Sequence, residues 1–353
     1  MKNFLFIIFI VLSIVSCKKD DEKKEDVIMP RDFTEVEIGI IIKDSTLNVR
    51  ALEIVKRYEG FFFLTSTGTG GVLNKGEVLF PIEIDKDNTK LNFRAFSSTA
   101  EAGFALSVAS PAYLYKIEGD ETKLVYQENH KKAFYNSMDF WNNQEGIAIG
   151  DPTDDCMSII ITRDGGNTWN KLSCDILPKA EEGEGAFAAS DTNIAIIGDK
   201  TWVATGGKVS RILFSPDKGE TWEVFNTPIV QGLETTGMYS LDFYDENNGF
   251  AIGGDYTNAG DSIANKIRTQ DGGKTWQLVA QNQSPGYRSC VQYIPGREAK
   301  ELVAIGFKGI DYSKDSGEHW KHLSDEGFYT LRFVNDSVAY AAGSKRIAKL
   351  IFR

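Results

Sequence analysis

The chain has 353 residues, 42% of them hydrophobic and 25% charged, which is the composition of a folded protein. Fifty acidic against 39 basic residues leave a net charge of −11, and such a surface repels phosphate backbones, excluding nucleic acid as a natural partner. Thirty-three glycines with only nine prolines suit many short strands joined by tight turns.

The first element is an export signal: Lys2, then an almost unbroken apolar run from Phe4 to Val15 that is too short for a permanent span. It ends in Ile14-Val15-Ser16-Cys17, which resembles the bacterial lipobox. That resemblance implies cleavage before Cys17 and a diacylglycerol on its sulfur; a plain signal peptide with a chance cysteine is the alternative. Acyl chains at Cys17 would hold the protein on a membrane. The chain then reads as an outer-membrane lipoprotein, on the periplasmic side or exposed at the cell surface. Lys18 to Asp26, KKDDEKKED, cannot bury a core and reads as a solvated tether. It also looks like the lysine-plus-acidic signal that sends lipoproteins to the surface of some Gram-negative bacteria. The resulting organisation is 1–16 signal peptide, 17–32 lipidated cysteine and tether, and 33–353 folded domain.

Glu35–Lys43 (EVEIGIIIK) alternates apolar and other residues and predicts a strand. A recurring unit follows, a strand, a short turn and an apolar run, with starts near residues 48, 92, 137, 186, 240, 289 and 330. The fourth of these begins with Ala186–Ser190 as its first strand. Four segments in the later units share the pattern S/T-x-D-x-G-x-T-W. They carry Asp164, Gly166 and Trp169; Asp217, Gly219 and Trp222; Asp271, Gly273 and Trp276; and Asp315, Gly317 and Trp320, with His319 in place of the last Thr. These triads account for four of the six tryptophans in the chain, so the repetition is not accidental. Its chemistry is that of a hairpin turn: the Asp accepts backbone N–H bonds, the Gly takes φ > 0, and the Trp covers the hairpin. The four aspartates are therefore read as structural, since each is isolated from other ligands.

The motif resembles the Asp-box (BNR) repeat of sialidases, sortilin-type receptors and photosystem II stability/assembly factor-like propellers. Phe140-Trp141, Gly146–Pro152, Ala186–Ser190, Ala204–Gly207, Ala251–Tyr256, Gly286–Ser289 and Arg346–Leu350 are similar to bacterial members of the last group. Asn136 departs from the Asp expected there. The resemblance implies an all-β, seven-bladed β-propeller of four-stranded antiparallel blades, six blades being the alternative. In that fold each box is the turn between third and fourth strands. The seventh unit has room for three strands, and Glu35–Lys43 is expected to supply the fourth and close the ring.

The face opposite the boxes is then expected to hold a ligand site. Asp151, Asp199 and Asp255 come from Gly-Asp pairs, with Glu184, Tyr256, Tyr287 and Arg288 beside them. Arg50, Arg94, Asp139, Asp242, Gln292 and Arg332 project from inner strands toward the channel. Acids, arginines and aromatics at a propeller mouth suit recognition of a protein or glycan by a monomeric binding scaffold. A sialidase-like glycoside hydrolase would draw on the arginines with Tyr256 and Glu184, although the Phe/Tyr-Arg-Ile-Pro motif is missing. Gly68-Thr-Gly70-Gly71-Val-Leu73 imitates a dinucleotide loop, but its last glycine is Leu73 and no helix follows. No cofactor motif and no metal-ligand pattern is visible. Cys156 and Cys174 flank the first box, either as a disulfide or as two thiols; Cys290 reads as an unpaired core residue.

Overall fold

The computed structural model describes residues 31–353 except 56–59 and 87–88. The export signal, Cys17 and all but the last two residues of the tether lie outside the described residues. Among those described, the elements are strands with a 3-10 turn at Tyr256–Asn258, and no helix is long and apolar enough to cross a membrane.

Val36–Val55 runs unbroken for 20 residues and serves two sheets at once. Its first part pairs antiparallel with Ser344–Phe352, from Val36 opposite Phe352 to Lys43 opposite Arg346. Its last part pairs with Gly60–Thr65, followed outward by Thr69–Asn74 and Glu77–Glu83. Further four-stranded antiparallel sheets start at Phe93–Ser98, Tyr135–Phe140, Ile194–Ile197 and Cys290–Tyr293, and Thr236–Phe243 carries three strands outward and two short strands, Gly206–Gly207 and Glu184–Gly185, on its other side. Thr330–Phe333, Val338–Ala342 and Ser344–Phe352 complete the sheet that receives Val36. The first strands of these sheets lie side by side in chain order, and Thr330–Phe333 again touches Val36–Val55. Apolar side chains of facing sheets fill the spaces between them, as where Phe104 and Phe140 of neighbouring sheets pack at 4.6 Å with Trp169.

The S/T-x-D-x-G motif forms the same turn four times, between the third and fourth strands of its sheet. In the second copy Asp217 Oδ1 accepts from the Thr221 N–H at 2.8 Å and Oδ2 from the Thr221 hydroxyl at 2.6 Å. The Ser215 hydroxyl accepts from the Gly219 N–H at 2.7 Å and donates to Asp217, so the first residue of the motif is as necessary as the Asp. His319 replaces Thr in the fourth copy and makes both bonds through its N–H and ring. Burial alone would raise these carboxyls, yet the bonds they accept hold all four below the usual range. Gly166, Gly219, Gly273 and Gly317 all have φ between 75° and 85°, and a Cβ on each would strike Phe104, Ile161, Trp202 and Phe250 of the preceding sheet. Each turn thus seats its own sheet against its neighbour. Asp217→Ala is expected to cost about 1–2 kcal/mol in urea unfolding, while Ser215→Ala costs a similar amount through the Gly219 N–H.

Cys156 and Cys174 are joined in a disulfide with a sequence separation of 18, and Cys290 is a buried free thiol. Replacing both paired cysteines by alanine should lower stability by about 3 kcal/mol, read from denaturant midpoints.

One expected strand is not a strand. Ala186–Ser190 does not begin the fourth sheet; Ile194–Ile197 does, paired with Lys200–Ala204. The segment instead passes through the middle of the molecule, bonded to first strands of other sheets. Ala188 O accepts from Arg94, the Ser190 hydroxyl donates to Ser289 O, and Ser190 O accepts from the Thr330 hydroxyl. Asp191 accepts from the Phe96 N–H at 2.9 Å and the Met138 N–H at 3.1 Å, and the Thr192 hydroxyl donates to Ser240 Oγ. Asp191 sits at φ 59°, a left-handed conformation no strand accommodates but Asp tolerates.

Candidate functional site

The crossing segment divides the central space into two cups. Ala186 to Ala189 form part of one; Asp191, Thr192 and Ile194 to Ile196 form part of the other.

The first cup, about 480 Å³, opens on the side opposite the S/T-x-D-x-G turns and is lined by Arg50, Arg94, Phe187, Tyr239, Tyr256, Tyr287, Ser289, Phe307 and Tyr329 among others. Its arginines share a local design. Leu47-Asn48-Val49-Arg50 and Leu91-Asn92-Phe93-Arg94 repeat one pattern, and each Asn accepts a bond from the guanidinium two residues on. In each strand the register against the next strand slips at the Arg: Val49 faces Thr65 but Ala51 faces Leu64, and Phe93 faces Ser107 but Ala95 faces Leu106. A bulge residue is released from strict alternation and re-aimed. The same slip frees Asn136 and Tyr239 in two other first strands. Asn136 turns to Asp151 at 3.2 Å, while Tyr239 joins the cup.

Arg50 lies over the Tyr329 ring at 4.0 Å. Neither Arg50 nor Arg94 pairs with a carboxylate among the described residues, and none lines the cup. Burial lowers the pKa of both; for Arg94, burial first and then the charge of Arg50 bring it to about 10. The wall is aromatic: Phe187 and Tyr239 stack at 3.8 Å, and Tyr287 meets Tyr239 edge-on at 4.7 Å. Burial also pushes the Tyr239 and Tyr287 phenols up, so they act as neutral donors.

Of the expected site residues, Arg50, Arg94, Tyr256 and Tyr287 come together here. Asp255 is next to them, capping the 3-10 turn through the Thr257 N–H at 2.9 Å. The others are elsewhere, for identifiable reasons. Asp151 accepts from the Ala186 N–H and steadies the crossing segment; burial pushes it up to about 6. Glu184 is buried in an ion pair with Arg211 at 2.6 Å and also accepts from Thr205. Arg288 is buried against Asp311 at 2.6 Å. Asp199 lies in the turn between Ile194–Ile197 and Lys200–Ala204, on the side of the S/T-x-D-x-G turns, 3.4 Å from Lys218. With Glu184 committed to Arg211, the Tyr256–Glu184 pairing a sialidase-like reaction would need does not form. Tyr239, Tyr329, Phe187 and Phe307 were not foreseen.

The second cup, about 220 Å³, gathers Glu53, Asp139, Asp191, Asp242 and Gln292 around Arg332. Burial raises all four acids, Glu53 to about 8, Asp191 and Asp242 to about 7 and Asp139 to about 6. Arg332 is 4.0 Å from Glu53 and donates to Thr330 Oγ1 and Asp191 O. No group of three acids, histidines or cysteines among the described residues is placed to hold a metal.

No protein-family model matches the chain, and no curated protein matches its sequence. Solved structures do match. YCF48 bound to D1 peptide superposes with a TM-score of 0.65 at 15% identity, over 92% of this chain and 98% of that one. YCF48 from Cyanidioschyzon merolae gives 0.64 at 9% identity, over 90% and 98%. The WD40 repeats of RRP9 give 0.62 at 10% identity, over 92% and 100%. At these identities the likeness is one of architecture, and the architecture of this chain is a β-propeller.

Proposed function

We propose that this protein is a lipid-anchored, extracytoplasmic binding scaffold: a monomeric seven-bladed propeller that takes a protein or glycan ligand at the first cup. The observation that carries this reading is the cup itself, two half-buried arginines without carboxylate partners beneath an apolar rim. Tyr256 is 49% exposed and Phe307 40% exposed at that rim, and Leu233 and Ile263 are exposed in loops at the same end. Exposed apolar side chains around a partly charged concavity are what a partner surface presents. That YCF48 was solved with a bound peptide supports a polypeptide as the ligand.

Seven blades follow if each first strand, from residues 48–55 to Thr330–Phe333, heads one blade. Pairing of residues 36–43 with Ser344–Phe352 then supplies the seventh blade's outer strand and joins the ring. The S/T-x-D-x-G turns are read as Asp-boxes fixing the far rim. Residues 1–16 are the signal peptide and 17–32 the lipidated tether, holding the domain at the outer membrane, periplasmic or surface-exposed. Labelled palmitate should enter the full-length protein and not Cys17→Ser. Crosslinking in the native envelope should capture a partner with the wild-type protein, and Tyr256→Ala with Phe307→Ala should lose it. Capture unchanged in that double variant would overturn the assignment of the cup.

A further inference from the structure

Resting on the reading of the cup as the ligand site, we propose that it is a carboxylate seat, taking the terminal carboxylate of a ligand with an aromatic or aliphatic body. The protein is strongly acidic, with 50 acidic residues to 39 basic. Even so, Arg50 and Arg94 both face one cavity and neither meets an acid. Holding two half-buried cations side by side costs free energy unless an anion joins them. Their remaining donors are free for one. Arg50 spends Nη1 on Asn48 and also bonds the Tyr329 side chain, while Arg94 spends Nε on Asn92 and Nη1 on Ala188 O and keeps its Nη2 in no hydrogen bond to a described group. The Asn partners and the Tyr329 ring hold the guanidiniums in place before a ligand arrives, which lowers the ordering cost of binding.

Three features select a carboxylate with an apolar body. Two planar forks suit the two oxygens of one carboxylate. A phosphate would bring further charge, and the lining offers no third cation to meet it. The stacked Phe187 and Tyr239 with edge-on Tyr287 form a flat apolar wall. The floor is closed by Ala186 to Ala189, so a ligand must end in the cup and cannot thread through it. The duplication of Leu-Asn-x-Arg, each Arg at a bulge, marks the pair as one device and not two unrelated surface cations.

The test is calorimetry on the full-length protein with 3-phenylpropionate and with acetyl-Ala-Phe bearing a free C-terminus, each against its amide. Binding of the acids at least tenfold tighter than the amides is expected, weakening with salt. Arg50→Gln and Arg94→Gln should each lose about tenfold or more for the acids and little for the amides, the loss of a charge-assisted bond. Tightest binding by the peptide acid would assign a chain terminus as the source, and by 3-phenylpropionate a free small molecule. Thermal melting controls for folding, and Arg50→Gln carries the test if Arg94→Gln is unfolded. The proposal falls if neither acid binds, if acid and amide bind alike, if the variants bind as wild type, or if inorganic phosphate binds more tightly. Should it fall while Tyr256→Ala with Phe307→Ala still abolishes partner capture, the cup remains the docking site and only its chemistry was misassigned.

Discussion

Asp191→Ala should lower the stability of the folded protein by about 4 kcal/mol, the largest loss expected from any single change discussed above. The carboxylate is buried and receives the N–H groups of Phe96 and Met138, which belong to two different sheets. Alanine leaves both donors buried and unpaired, at about 1–3 kcal/mol each. It must also adopt φ near 59°, which costs an ordinary residue roughly a further 1 kcal/mol. Asparagine separates these contributions: it tolerates the backbone and keeps one acceptor, but presents its amide hydrogens to the second donor. Asp191→Asn is therefore expected to lose about half as much. Urea midpoints with unchanged slopes would check both values, and a loss below about 1 kcal/mol for alanine would show that the crossing segment does not brace the centre.

The second large effect is a fall in stability between pH 5 and pH 8. Glu53, Asp139, Asp191 and Asp242 have folded pKa values raised by burial above their ordinary ones. Between about pH 4 and the raised values, the folded state binds more protons than the unfolded chain, so stability declines as pH rises through that window. For Asp191 alone, a change from 3.8 to about 7 corresponds to roughly 4 kcal/mol; the four acids share one cup, so their effects do not add. Two other groups bound the window. The four S/T-x-D-x-G aspartates are held low and contribute stability that disappears below about pH 4. Burial lowers Lys266 to about 7, so its contribution grows as pH climbs above that value. A melting temperature highest near pH 5 is expected, and Glu53→Gln with Asp242→Asn should flatten the decline. A wild-type maximum at pH 8 would contradict it.

What the sequence disclosed was what is local. The four S/T-x-D-x-G turns were legible because all their bonds fall within eight consecutive residues. Arg50 and Arg94 were legible because arginine in a first strand has few reasons to be there. The crossing segment was not, since Ala186-Phe187-Ala188 reads as an apolar strand and its partners, from Arg94 to Thr330, are remote in sequence. Gly150-Asp151, Gly198-Asp199 and Gly254-Asp255 looked equivalent, but displacement of the fourth sheet's first strand moves Asp199 to the opposite side. Tyr239 was hidden because alternation cannot reveal a bulge, and Tyr329 because it lies just before its strand. The Leu-Asn-x-Arg repeat, compared with the corresponding positions of other units, was the signal that could have found Tyr239.

Val36–Val55 has a consequence for how the chain acquires its structure. Its first half has no partner until Ser344–Phe352 exists, at the other end of the polypeptide. A chain emerging from a ribosome therefore keeps an unmatched edge until Ser344–Phe352 arrives. Closure must wait until Ser344–Phe352 has been made, and such distant pairing is slow to search. Loss of Ser344–Phe352 would leave residues 36–43 available to pair with another molecule.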